Sequence, residues 1–263
     1  MTNDLARRIA EAYRWQRGLG NSAVAAPHCH IVANPARPEI WDANHADAVT
    51  AQSPDEIDAV FAAMDRHLGH TRWRVVHTDC FTPDAFLARL ALDFDERFVA
   101  ILMALDGDLT DRGAPVELRP VVDDAGYQAL LKLVRLNHAE RQEVDRLHLP
   151  PEFSAAMVHV YRAKRDAYRF HLAVKEGVPI AYGGCAAAPN GVGMIEDLFT
   201  LPSERRRGVI TGVIAAFVDA LRARGCELIF LGALANDRPK RLYARLGFRP
   251  VTLARTWARK LAE

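Results

Sequence analysis

The chain has little cysteine: four residues in 263, at positions 29, 80, 185 and 226. No two of them stand at a C-x-x-C spacing, which excludes a zinc ribbon or a dithiol redox motif, and they are too few and scattered for a disulfide framework. They are expected as reduced, mostly buried thiols of a cytoplasmic protein, with no metal. An excess of one charge is also missing. Lys and Arg number 34 against 33 Asp and Glu, for a net charge of +1. That balance removes the long-range attraction that a nucleic-acid or anionic-membrane partner requires. Long apolar runs are absent too. The longest, Val209 to Val218, is broken by Thr211 and Gly212 and falls short of the ~18 residues of a spanning helix. The opening MTNDLARRIAEAYRWQRG has helical apolar spacing but no continuous apolar core and no small-residue cleavage site, so no secretory signal is expected.

What remains is an alternation of breakers and periodic apolar stretches. At about 100 to 200 residues per domain, the length suits two domains. The clearest break is DGDLTDRGAP, Asp106 to Pro115, after the strand-like run Phe98 to Leu105. It divides 1–112 from 113–263. In the first part, residues 54–69 follow a Ser53-Pro54 cap signal and repeat Ile57, Val60, Phe61, Met64 and Leu68 at helical spacing. TRWRVVHTD then alternates like a strand, TPDAFLARLALDF reads as a helix and ERFVAILMAL as a strand. Upstream, HCHIVANPARPEIWDANHADAV gives two short strands separated by Pro35 and Pro38. In the second part, VELRPVV is a strand, and helices are expected over 126–142 and from the prolines at 150 and 151. Three strands, RFHLAVKEG, IAYGGCAAAPNG and GMIEDLFTLP, form an antiparallel meander with turns at Glu176-Gly177 and Asn190-Gly191. A helix over 208–224, the strand CELIFLGAL, a helix around Lys240 to Leu246 and a strand through Thr252 to Trp257 complete the chain. The fold class is α/β of the α+β kind, a mixed, mainly antiparallel sheet flanked by helices.

Chemistry concentrates in EDLFTLPSERRRGVITGVIAAFVDALRARG, Glu196 to Gly225. A strand ending at Thr200 leads through a turn into Arg205-Arg206-Arg207-Gly208, which opens a helix with Val209, Val213, Ala216, Phe217, Ala220 and Leu221 on its inner face. Free N–H groups at a helix start, a glycine that admits close approach, and nearby arginines together make an anion site suited to a pyrophosphate. Downstream, CELIFLGALANDRPKRLYARLGFRPV puts Asn236, Tyr243 and Leu246-Gly247-Phe248 at fixed offsets.

Together these segments resemble the Gcn5-related N-acetyltransferase (GNAT) superfamily, over roughly Pro115 to Glu263. The resemblance implies the acyl-CoA N-acyltransferase fold, acetyl-CoA as cosubstrate and an amine as acceptor. It assigns the CoA pyrophosphate to the helix start, where Arg205 and Gly208 match the family motif with Arg206, Arg207, Val209, Ile210 and Thr211 around them. Ile210 departs from the family's small residue there, and Thr211 and Gly212 are expected to restore the contact. Pro239 also departs from the family's usual Ala, harmlessly at a helix start. Backbone groups of Leu198, Phe199 and Thr200 would pair with the pantetheine arm and stabilise the oxyanion. Glu196 resembles the general base, with Asp197 on the opposite strand face by alternation. Tyr243, in register with Asn236, resembles the residue that protonates the departing thiolate; its bland alternative is a helix aromatic packed on Phe248.

The first part repeats the order helix, strand, helix, strand, which suggests two such domains in tandem, the N-terminal copy degenerate. Gln52 to Asp58 holds no glycine, so no CoA is expected there. His28 and His30 would share a strand face, read as a polar face rather than a metal pair. Asn34, Trp41, Asp42, Asn44 and His45 are expected to line an acceptor site, to seal an interdomain cleft, or to be satisfied within a strand. The function implied is N-acetyl transfer from acetyl-CoA to a small-molecule or protein amine by direct transfer in a ternary complex. The alternative is an acyl-CoA-binding sensor or scaffold without turnover.

Overall fold

A computed structural model of the chain describes residues 2–145 and 149–262. It divides into two compact units that are not continuous in the chain: Met1–Met103 with Gly232–Lys240 and Pro250–Glu263, and Ala104–Leu231 with Arg241–Arg249.

The first unit contains α1 (Thr2–Gly18), β1 (Ser22–Ala26), β2 (Cys29–Ala33), a 3-10 turn (Trp41–Ala43), β3 (His45–Asp47), α2 (Pro54–His67), β4 (Trp73–Thr78), α3 (Asp84–Asp93) and most of β5 (Asp95–Leu105). Its last strand is the greater part of β11 (Phe248–Lys260), and the strand order is β1-β2-β3-β4-β11-β5. β11 runs antiparallel to β4, with Lys260 opposite Trp73 and Arg255 opposite Thr78. The C-terminal strand therefore packs with the first unit, whereas chain order groups it with the second. Side chains hold it there: Trp257 is buried in the core of Ile31, Ile57, Val60, Met64, Val76 and Phe86, and its indole N–H donates to Thr78 Oγ1 at 3.1 Å. The helix, strand, helix, strand order read from the sequence is present as α2, β4, α3 and β5, and β2 and β3 flank the Pro35–Pro38 segment. β1 escaped the reading because SAVAA is exposed along nearly its whole length and carries no alternation.

The second unit contains β6 (Glu117–Pro120), α4 (Asp124–Asp145), α5 (Pro151–Ala163), β7 (Tyr168–Lys175), β8 (Val178–Ala187), β9 (Val192–Thr200), a 3-10 turn (Pro202–Glu204), α6 (Val209–Ala223), the start of β10 (Leu228–Leu234) and most of α7 (Pro239–Arg245). Its strand order is β10-β9-β8-β7-β6. The meander β7, β8, β9 is antiparallel, and β10 joins β9 in parallel. The turn after β7 has positive φ at both Glu176 (52°) and Gly177 (80°), the conformation whose twist suits a two-residue hairpin. Nine residues of α6 are buried, from Val209 to Leu221. Ala220, expected on its inner face, is exposed; the helix is instead enclosed through Thr211, Gly212, Ile214, Ala215 and Val218. Among the described residues no helix is long and apolar enough to cross a membrane.

Candidate functional site

In the second unit the strand β9 separates from its neighbour before it ends. Its parallel pairing with β10 stops at Ile195 opposite Leu231, yet β9 continues to Thr200. One backbone edge of Glu196 to Thr200 is thus unclaimed by β10, and it leads directly into α6. That helix starts at Gly208, whose φ of 77° and ψ of 0° are left-handed, with no side chain capping it. Its first intrahelical bond is Gly212 N–H to Gly208 O at 2.9 Å, so the N–H groups of Val209, Ile210 and Thr211 precede the ladder and carry the positive end of the helix dipole. Thr200 Oγ1, buried beside this loop, has no hydrogen-bond partner among the described residues. An uncapped helix start and an orphaned hydroxyl at the end of a half-open strand fit a phosphate-bearing arm.

The glycines here have separate reasons. A Cβ on Gly208 would sit 2.8 Å from Ala114 N, besides straining a positive φ. A Cβ on Gly212 would sit 2.1 Å from Ala114 O. Gly212 therefore admits the chain segment at 113–114, not a ligand, and does not restore a contact crowded by Ile210. Arg205 also departs from expectation. Its guanidinium forms two hydrogen bonds to Glu140 of α4, at 2.7 and 2.5 Å, and its Nε donates to Thr200 O at 3.0 Å. Its charge is engaged with α4 and the end of β9, and it lies over the Phe199 ring at 5.8 Å. Arg206 and Arg207 are exposed, and Arg206 has a φ of 60°. Glu140 gave no signal in the sequence, because nothing local links α4 to a turn 65 residues on.

The two carboxylates of β9 are rearranged by a bulge. Gly184 stands opposite Glu196 and Tyr182 opposite Phe199, so Asp197 and Leu198 together face Gly183 alone. Directly opposed residues share a sheet face. A Cβ on Gly184 would meet the Tyr168 ring at 2.5 Å, while one on Gly183 would meet Leu198 and Phe217 on the other face. Glu196 therefore lies on the Tyr168 side. Asp197, with a φ of 54°, turns to the same side: its Oδ2 accepts from Tyr168 at 2.8 Å and its Oδ1 from Tyr161 at 3.0 Å. Simple alternation had placed the pair on opposite faces, and the extra bulge residue cancels it. Burial, then the nearby Asp197, pushes the Tyr168 phenol well above the ordinary range, so it stays a neutral donor.

Tyr243 is buried near the end of α7, edge-on to Phe248 at 6.4 Å between centroids. Gly247 follows with a φ of 104°, and its carbonyl accepts from Asp106 N–H at 3.2 Å. The Leu246-Gly247-Phe248 motif thus ends a helix in a left-handed turn that seats the 106–110 loop. Asn236 is exposed, in the turn after β10.

The first unit differs at the comparable point of its β3-α2-β4 segment. α2 begins with a capping box: the Glu56 carboxylate accepts from Ser53 N–H at 3.1 Å and Gln52 N–H at 2.7 Å, and Ser53 Oγ accepts from Glu56 N–H. Of the three first-turn positions an external anion would use, Pro54 has no N–H and that of Glu56 is taken by Ser53 Oγ. His28, at φ 59° in the β1–β2 hairpin, is a turn residue and does not share a strand face with His30. Asn44 is a buried staple, its amide donating to Arg37 O and Ile40 O and its Oδ1 accepting from Asn34 N–H. Trp41 packs on Trp73 at 4.9 Å. Asp42 lies 3.4 Å from Arg17 and 3.2 Å from His77. His45 is buried, 3.4 Å from Asp47 and edge-on to His77 at 4.5 Å. Among the described residues no group of three or more His, Cys, Asp or Glu is arranged to hold a metal ion.

His77 makes the first unit acid-sensitive. Burial, with Arg17 and His45 nearby, drops its imidazole to about 3 despite Asp42. The unfolded chain, with an ordinary imidazole near 6.5, binds the proton first, so stability is full above that value and is lost as pH falls toward 3. By about pH 4.5 the loss should be roughly 3 kcal/mol. Thermal melts between neutral and acid pH should show it, and His77→Gln should flatten the slope; an unchanged slope would remove His77 as the cause.

A family model, the acetyltransferase (GNAT) family, matches residues 132–248. No curated protein sequence matches the chain. Among solved structures, a GCN5-related N-acetyltransferase from Kribbella flavida is 20% identical, with 96% of this chain and 95% of that one covered at a TM-score of 0.68. A functionally unknown conserved protein from Staphylococcus epidermidis ATCC 12228 is 13% identical, with coverages of 92% and 95% and a TM-score of 0.69. A tandem GNAT protein from the clavulanic acid biosynthesis pathway is 14% identical, with coverages of 83% and 76% and a TM-score of 0.56. At these identities the likeness is one of fold. Residues 132–248 thus match the acetyltransferase (GNAT) family model, and over most of its length the chain shares the fold of GNAT structures, a tandem one among them.

Proposed function

We propose that the protein is an acetyl-CoA-dependent N-acetyltransferase that acts on an amine of a small molecule or protein by direct transfer in a ternary complex. The observation that carries this reading is the half-open β9: its pairing with β10 ends at Ile195 while the strand runs on to an uncapped α6. Bound acetyl-CoA would supply the acyl group as a thioester. The N–H groups of Val209, Ile210 and Thr211 would hold its pyrophosphate, with Arg206 and Arg207 adding charge at the rim. Leu198, Phe199 and Thr200 would pair with the arm as an added strand does, and orient the thioester carbonyl toward backbone donors. Arg205 serves the same cradle indirectly, by tying Thr200 to Glu140.

Glu196 is the general base of this reading, because an acceptor amine arrives as an ammonium and must lose a proton before it attacks. Tyr243 is the general acid that returns a proton to the thiolate. Asn236 belongs to the same motif by its offset from Tyr243. An acyl-enzyme is disfavoured by the thiols of this unit: burial pushes Cys185 up to about 11 and raises Cys226 as well, so neither is a ready thiolate. The first unit, its α2 start opened by Pro54 and capped by Ser53, takes no CoA in this reading.

The test is release of free thiol from acetyl-CoA across a panel of amines, together with calorimetric CoA binding. Turnover with at least one amine class is expected. Binding without turnover on any amine would favour a sensor or scaffold, and no CoA binding would remove the family's chemistry from this chain.

A further inference from the structure

The β9 bulge is held by a device that the transferase reading leaves unused. Asp197 adopts a φ of 54°, a conformation that costs a non-glycine residue of order 1 kcal/mol and persists only where its surroundings enforce it. Two tyrosines from different elements enforce it here. Tyr161 of α5 and Tyr168 at the start of β7 each donate to one oxygen of the Asp197 carboxylate, at 3.0 and 2.8 Å. Both rings are buried, Tyr168 completely. They brace each other through Phe170, which lies 4.3 Å from the Tyr161 ring and 5.0 Å from that of Tyr168. Hydrogen bonds to an ionised acceptor are about twice as strong as neutral ones, so the pair is a stiff anchor.

We propose that Asp197, gripped by Tyr161 and Tyr168, is the positioning residue that keeps β9 bulged, and so sets both the direction of Glu196 and the exposure of the backbone at Leu198. The bulge decides which face Glu196 and Asp197 share and leaves Leu198 out of register with β8. Without the grip, β9 would relax toward regular alternation: Asp197 would swing to the Leu198 face, and the groups on either side would move by a fraction of a residue. A displacement of that size at a reacting centre costs on the order of 10²-fold in rate. The inference rests on the transferase reading for its consequence, though not for the existence of the grip.

The test uses the full chain with Tyr161→Phe and Tyr168→Phe, singly and together, and Asp197→Ala. Phe keeps each ring and removes only its donor; Ala removes the acceptor and keeps the strain at φ. Amide hydrogen exchange over residues 196–200, thiol release from acetyl-CoA, and binding of 3′,5′-ADP, which lacks the pantetheine arm, are measured on each. The double Phe and Ala variants should exchange faster over 196–200 and turn over on the order of 10²-fold more slowly, with 3′,5′-ADP binding unchanged. Wild-type exchange in the double Phe variant, or wild-type turnover in Asp197→Ala, would overturn the proposal. So would slower turnover without faster exchange, since the phenols would then act by another route. A wild-type protein that turns over no amine would sink the transferase reading alone; the exchange measurement would still decide the grip.

Discussion

Gly208→Val should abolish measurable CoA binding, with an affinity loss of at least about 100-fold. The expectation has two independent sources. A β-branched residue at the φ of 77° found there costs roughly 1–3 kcal/mol, and its Cβ would stand 2.8 Å from Ala114 N, a backbone atom that cannot step aside like a side chain. The first turn of α6 must shift, and with it the N–H groups of Val209, Ile210 and Thr211. Hydrogen bonds to a charged group are worth about 1.5–3 kcal/mol each, so the loss of two accounts for the drop. Gly208→Asn is the companion variant, since Asn tolerates the left-handed region better. It should bind more weakly than wild type and more tightly than the Val variant. Calorimetry on both, beside thermal melts, separates a displaced cradle from an unfolded protein, and full affinity in a folded Val variant would place the pyrophosphate elsewhere.

Tyr243→Phe should lower turnover on the order of 10²-fold, the scale of a lost general acid, with CoA affinity and melting temperature nearly unchanged. An ordinary phenol near pKa ~10 and an ordinary thiol near ~8.5 are close enough for proton donation without a large environmental push. The ring itself is buried and edge-on to Phe248 at 6.4 Å, a contact that Phe preserves. The packing role and the acid role are thus compatible, and the hydroxyl alone separates them. A Phe variant that turns over like wild type would leave Tyr243 as core and water as the proton source.

Much of the candidate site was legible because its signals are local. The Arg205 to Gly208 turn, the apolar face of α6 and the offset from Asn236 to Gly247 each depend on a few neighbouring residues, and left-handed positions at Gly208 and Gly247 demand glycine wherever they occur. Misplaced roles arose where partners are distant. Arg205 read as part of the anion site alone, since its partner Glu140 lies 65 residues away. Gly212 read as a ligand contact, since Ala114 crosses it from another segment. Asp197 read as facing away from Glu196, since alternation assumes an unbroken ladder and the bulge depends on Tyr161 and Tyr168.

The sequence by itself determined all the elements but β1, and their order, because periodicity, caps and turn residues act within a few positions: the Ser53–Glu56 box starts α2, and the Glu176-Gly177 turn joins β7 to β8. Tertiary structure alone decided where β11 pairs and which way β9 presents its carboxylates. Strand partnership is a choice among remote edges, settled for β11 by the burial of Trp257 and its bond to Thr78 across 179 residues. The bulge at Asp197 is a local strain that only contacts from α5 and β7 can sustain.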